Sequence, residues 1–121
     1  MMYIIDDKEY PCRTSVTMRF IGGKWKAVIL IYLVDGSKRY NELRKLMPTI
    51  TERTLGLQLK QLEADGLIDR KVYTTKPPLM VEYSLTEFGK SLAPVLREIA
   101  RWGGRAKELS SKIAVRSPVQ R

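Results

Sequence analysis

Residues 51–66 read TERTLGLQLKQLEADG, and this stretch decides the fold. Leu55, Leu59 and Leu62 recur at i, i+4 and i+7, the spacing of one side of an α-helix. At about 100° per residue, Arg53, Leu57, Lys60 and Ala64 point the opposite way, with Thr54 and Gln61 beside them. Thr51 stands where an N-cap is needed, and Gly66 where a left-handed residue would end the helix. The outer face carries hydroxyls, an amide, two cations and one Leu. Such a mix can hydrogen-bond base edges, touch thymine methyls and meet phosphates. Taken alone, it also fits an ordinary amphipathic helix with a solvated back, so the flanking segments have to decide.

Immediately upstream, YNELRKLM predicts a short helix with Tyr40, Leu43, Leu46 and Met47 on its apolar face. Pro48 closes it, and Pro48-Thr49-Ile50 forms a tight link. Downstream of Gly66 the period changes to two. LIDRKVY and MVEYSL have strand composition, and the Pro pair in TTKPPL belongs at the tip of a hairpin. Further upstream, KWKAVILIYLVDG places Trp25, Val28, Ile29, Tyr32 and Leu33 at helical spacing. Leu30 and Ile31 add a second apolar side, which predicts the most buried helix. A shorter helix over 14–21 carries Val16, Phe20 and Ile21 and stops at Gly22-Gly23. Residues 1–11 read as an N-terminal arm, frayed in a monomer or laid across a second copy. After the hairpin, Thr86 offers an N-cap for a long helix with Leu92, Val95, Leu96, Ile99 and Trp102 in phase. Pro94 either kinks that helix or marks its first turn, and Gly103-Gly104 weakens it again. The tail, KELSSKIAVRSPVQR, is basic, and fraying is expected there. Trp25 and Trp102 read as core or dimer-interface anchors.

The chain has 121 residues, enough for one domain and too few for two. We divide it into the arm at 1–11, a core at 12–97, and a helix end with basic tail at 98–121. Lys and Arg exceed Asp and Glu to give a net charge of +9, so a polyanionic partner is expected. No apolar run is long enough to span a bilayer, and the acidic start is unlike a secretory signal, so a cytoplasmic location is the default expectation. The chain has no His and one Cys. A catalytic triad or a zinc site therefore cannot be assembled within one chain. Glu63 and Asp65 are two apart on a helix, a poor acid–base pair, and neither glycine pair has the surroundings of a phosphate loop. No enzyme activity, cofactor or metal is expected.

A mainly α chain with a small β-hairpin follows, in the order of a winged helix-turn-helix. The second helix of the pair would enter the major groove, the first would brace it, and the hairpin would reach neighbouring phosphates. The expected function is sequence-specific DNA binding. The alternative is a winged helix that serves protein interaction or binds nucleic acid without sequence preference.

Cys12, Gly22-Gly23-Lys24-Trp25, Arg39-Tyr40-Asn41-Glu42-Leu43, Gln61-Leu62-Glu63-Ala64-Asp65-Gly66-Leu67 and Glu82-Tyr83-Ser84-Leu85-Thr86 carry a resemblance. In order and near spacing they are similar to the motifs of HxlR-type regulators, a branch of the MarR-like winged helix proteins, over about residues 12–97. The resemblance implies a bacterial or archaeal transcriptional regulator that binds double-stranded operator DNA as a homodimer through N- and C-terminal dimerisation helices. It also implies, for some members, a response to oxidants or electrophiles through a Cys at the position of Cys12. Two departures stand out. Arg13 follows the Cys where the family usually has Pro, and Leu79 follows Pro-Pro where a basic residue is frequent.

On this reading Arg53, Thr54 and Leu57 would specify sequence from the first two turns of the helix, with Gln61 beside them. Lys60 would meet phosphate, and Thr51 would cap the helix or touch phosphate. Lys38 and Arg39 would clamp the backbone at a helix start, unless they form a plain solvated turn. Lys71 and Lys76 would serve the wing, although exposed hairpin lysines also protect strand edges. Cys12 lies before a helix start beside Arg13, and both features lower a thiol pKa. Its other reading is a small apolar core residue.

Overall fold

The computed structural model describes residues 1–116. The chain opens with a hairpin, β1 (Tyr3–Ile5) and β2 (Lys8–Tyr10), in which Tyr3 faces Tyr10 and Ile5 faces Lys8. The two turn residues, Asp6 and Asp7, have φ of 49° and 65°. A two-residue turn with both φ positive matches the twist of the flanking strands, and Asp is among the few non-glycine residues that tolerate it. The expected arm at 1–11 is therefore corrected to a paired hairpin. It packs against α1 (Arg13–Ile21). There Ser15 Oγ accepts from the Cys12 N–H at 3.1 Å, satisfying a donor at the helix start.

α2 (Lys26–Leu33) is the central element. Ile29 and Leu30 are fully buried and Leu33 nearly so, as its two apolar sides require. Lys38–Arg39 form a short strand, β3, before α3 (Tyr40–Leu46) and α4 (Glu52–Ala64). β4 (Ile68–Val72) and β5 (Val81–Leu85) follow as the hairpin expected from the period of two. The sheet order is β3-β5-β4, registered Lys38 to Tyr83, Arg39 to Glu82, and Ile68 to Leu85 through Val72 to Val81. Lys38 and Arg39 form strand β3 rather than the plain solvated turn of their alternative reading. Its partner lies more than forty residues on, so no local pattern announces it.

The single long helix expected after Thr86 is two. Thr86 caps the short α5 (Glu87–Lys90), its Oγ1 accepting from the Gly89 N–H at 3.0 Å. α6 (Ala93–Leu109) begins anew with Pro94 in its first turn, where the missing N–H costs nothing. Gly103 and Gly104 do not end α6. Neither has a positive φ, and the helix runs through both. The tail is helical as far as Leu109. Residues 110–116 follow without helix, and the expected fraying at 117–121 lies outside the described residues.

Ile29, Leu30, Leu43, Leu55, Leu59, Leu62, Leu67, Ile68 and Leu96 close the core. α5 is pressed against the turn that follows α4. Thr86 Oγ1 donates to the Gly66 carbonyl at 2.6 Å, and the Thr86 N–H donates to the Leu67 carbonyl at 3.1 Å. A Cβ at position 89 would collide with that same Leu67 carbonyl, so only glycine fits.

Candidate nucleic-acid interface

α4 is held by its inner face and by its start. Leu55, Leu59 and Leu62 are buried, and Leu43, Met47 and Ile50 cover them from α3 and the link. Thr51 Oγ1 accepts from the Thr54 N–H at 3.0 Å and lies 2.9 Å from Thr54 Oγ1. The Thr51 hydroxyl is thus committed to the cap. Arg44 of α3 pairs with Glu52 in the first turn of α4 at 2.9 Å, and Tyr40 donates to the Glu52 carbonyl at 3.4 Å. These contacts link the start of α4 to α3. Sequence reading missed the Arg44 brace, because its two ends lie in separate helices with no shared period.

The outer face of α4 is open. Arg53, Leu57, Lys60 and Gln61 are exposed, and Leu57 keeps 52 % of its surface in solvent. Thr54 is half-buried beside the cap. The predicted α4 residues therefore share one accessible face, with Thr51 and Thr54 at its N-terminal rim.

The sheet gathers most of the remaining predicted cations. Arg39 on β3 and Lys71 on β4 both stand opposite Glu82 of the central strand. Both are exposed, whereas Lys38 is half-buried. The Arg39 N–H donates to Glu42 Oε1 at 2.8 Å, so a carboxylate already occupies the start of α3. That N–H is therefore not free to join the expected phosphate clamp of Lys38 and Arg39. Lys71 Nζ lies 4.9 Å from the centre of the Tyr73 ring, and the Tyr73 hydroxyl donates to Glu82 Oε1 at 2.7 Å. That hydrogen bond raises the Tyr73 pKa above its ordinary value. Lys76 stands apart on the exposed tip, with Leu79 also exposed. Thr74 Oγ1 holds the tip by bonding the Lys76 and Pro78 carbonyls at 3.1 and 3.2 Å.

Cys12 lies on a different part of the molecule, at the start of α1. It is exposed, which overturns its reading as a small core residue. Its thiol pKa is lowered, first by the Ser15 backbone N–H and then by the Ser15 hydroxyl, against an opposing effect of desolvation and with a still smaller lowering by the Thr14 backbone. The cause is helix-start donors, and the neighbouring Arg13 is not part of it.

Trp25 is half-buried against the core, as expected for an anchor. Trp102 is not a core residue: it is 64 % exposed on α6, in a stripe with Val95, Ile99 and Leu109. Among the described residues, no three His, Cys, Asp or Glu side chains cluster to hold a metal, and no helix is long and apolar enough to cross a membrane.

Two helices joined by a short link, an open polar and cationic second helix, and a basic hairpin directly after it define a winged helix-turn-helix protein of the MarR-like type. The family model described as HxlR-like helix-turn-helix matches residues 20–111, and the chain belongs to this family of transcriptional regulators. Over 111 residues it is 51 % identical to the uncharacterized HTH-type transcriptional regulator YdeP of Bacillus subtilis (strain 168), covering 92 % of this chain and 85 % of that protein. The solved structure of the redox regulator HypR in its reduced form is similar, with a TM-score of 0.78 and 43 % identity over 84 % of this chain and all of the other. The oxidized form of HypR gives a TM-score of 0.72 and 48 % identity over 77 % of this chain and 95 % of the other.

Proposed function

We propose that the protein binds operator DNA as a homodimer, placing the outer face of α4 in the major groove. The observation that carries this reading is that open face, linked to α3 and followed by a sheet that sets Arg39 and Lys71 on its two outer strands, either side of Glu82. In it Arg53, Thr54 and Leu57 contact bases, with Gln61 next to them, and Lys60 meets phosphate. Arg39, Lys71 and Lys76 touch the flanking backbone, with Lys38 behind them, and Thr51 holds the helix start. A second copy covers the apolar stripe of α6 and sets two recognition helices about one helical turn, roughly 34 Å, apart. The net charge of +9 supplies the salt-dependent share of the affinity.

Thiol switching at Cys12 belongs to the same proposal. Exposure and a lowered pKa favour the reactive thiolate, and the similar HypR is a redox regulator. A peroxide would take two electrons and two protons from two Cys12 thiols, leaving a disulfide between chains and water. It could equally join Cys12 to a small thiol.

The test is affinity for duplex DNA from upstream of the protein's own gene against a scrambled duplex, before and after mild peroxide. The expected result is selective binding that changes on oxidation and stops responding in Cys12→Ser. Equal binding to both duplexes, falling linearly with the logarithm of salt, would replace the operator reading with a non-specific module. Selective binding indifferent to peroxide would remove the switch and keep the regulator.

A further inference from the structure

A two-pronged ion pair joins distant parts of the chain away from the proposed DNA-binding face, at the opposite end of α4. Arg19, in the last turn of α1, donates from Nη1 to Asp65 Oδ2 at 2.8 Å and from Nη2 to Asp65 Oδ1 at 3.1 Å. Nη2 also reaches Asp6 Oδ2 at 3.1 Å, in the turn of the N-terminal hairpin. Asp65 is the C-cap of α4, and its side chain is only 10 % exposed. A carboxylate at a helix C-terminus opposes the helix dipole, so helix formation gives no reason for an Asp here. The two-pronged guanidinium contact does give one, since a bidentate Arg–carboxylate pair is strong and fixes geometry as well as charge.

The position of Arg19 gives the pair its consequence. α1 carries Cys12 at its start and Arg19 about two turns later, so one short rigid helix joins the thiol to the end of α4. The other end of α4 is fixed by the Thr51 cap and the Arg44–Glu52 pair. A shift of α1 therefore bears on the C-terminal end of α4, where Thr86 also holds the Gly66 and Leu67 carbonyls.

We propose that Arg19 is a positioning residue for the recognition helix, coupling the placement of α1 and the N-terminal hairpin to the angle of α4 through Asp65. The inference rests on reading α4 as the DNA-contacting helix. The thiol at Cys12 and the outer face of α4 are then two ends of one linkage, and the pair at its middle touches neither DNA nor oxidant.

The test compares the parent with Asp65→Asn, with Arg19→Lys, and with the exchanged pair Arg19→Asp and Asp65→Arg in an Asp6→Asn background. Duplexes selected by the parent from a random pool serve as the operator probe, with a scrambled duplex beside them. Thermal unfolding and backbone amide exchange are followed for each chain. Asp65→Asn is expected to lower the preference for operator over scrambled duplex by about tenfold, with binding to the scrambled duplex unchanged. Arg19→Lys, which keeps the charge and loses the fork, is expected to fall between, and the exchanged pair to recover most of the loss. Folded variants that keep the parent's preference would overturn the proposal, as would an exchanged pair that folds and recovers nothing. If the parent itself selects no duplex, the DNA reading fails separately. The coupling is then read from amide exchange over 62–67: faster exchange in Asp65→Asn with recovery in the exchanged pair upholds it, and unchanged exchange overturns it.

Discussion

α4 and α6 are both amphipathic helices, yet only one is finished within the chain. The apolar side of α4 is covered: Leu55, Leu59 and Leu62 have almost no surface left in water. α6 buries Leu96 and Ala106 and leaves Val95, Ile99, Trp102 and Leu109 in solvent. The open side of α4 is polar and cationic, whereas the open side of α6 is apolar. An exposed polar face needs no partner to be stable in water, and an exposed contiguous apolar one calls for cover. On the proposed reading, the contrast separates two tasks, contact with a charged ligand by α4 and contact with a second protein surface by α6.

Substitutions can break this contrast or sharpen it. The largest effect should come from Leu59→Ala on the covered side of α4. Deleting a fully buried Leu side chain leaves a cavity, and a loss of about 2–5 kcal/mol in unfolding free energy is expected by chemical denaturation. Trp102→Ala should behave in the opposite way. Folding of one chain should change little, while self-association measured by sedimentation weakens by about 2 kcal/mol or more, as for an aromatic anchor at an interface. If Trp102→Ala sediments like the parent, the α6 stripe is not the contact between copies. Arg53→Ala, on the open side of α4, should cost about 1–3 kcal/mol at one position of the operator and leave unfolding unchanged. An unaltered sequence preference would remove Arg53 from base reading. Thr51→Ala should have the smallest effect, about 1 kcal/mol of stability, because its hydroxyl serves the cap. A loss of DNA affinity beyond that would return Thr51 to the phosphate-contacting residues.

The same contrast marks what could be read from the chain alone. α4 was legible from end to end, because its Leu spacing, its Thr51 cap and its Gly66 stop are all local. The wing strands were legible through the change of period, and the Pro pair placed their tip. Contacts that form across sequence distance were not legible. β3 exists only through pairing with β5. The N-terminal hairpin turns on Asp6-Asp7 rather than on the glycine-containing pairs that usually signal such a turn. Gly103 and Gly104 resemble a helix stop, but a glycine stops a helix by turning left-handed, and neither does so. For the candidate site, the α4 residues could be named from their period. The Arg44–Glu52 brace and the Arg19–Asp65 fork join residues that no spacing rule connects.

Gly89 ties these observations to the way such a chain can change over generations. It sits in a short surface helix among exposed neighbours, Glu87, Phe88, Lys90 and Ser91. Exposure ordinarily means freedom to vary. At position 89 the nearest obstacle is backbone, the Leu67 carbonyl just after α4, and no rotamer change can move it aside. Arg53, Leu57 and Lys60 on the outer face of α4 are exposed, so they can change with little effect on the fold. Position 89 admits no such drift, so in a library of every single substitution its column should stand empty beside the permissive columns of Glu87 and Lys90.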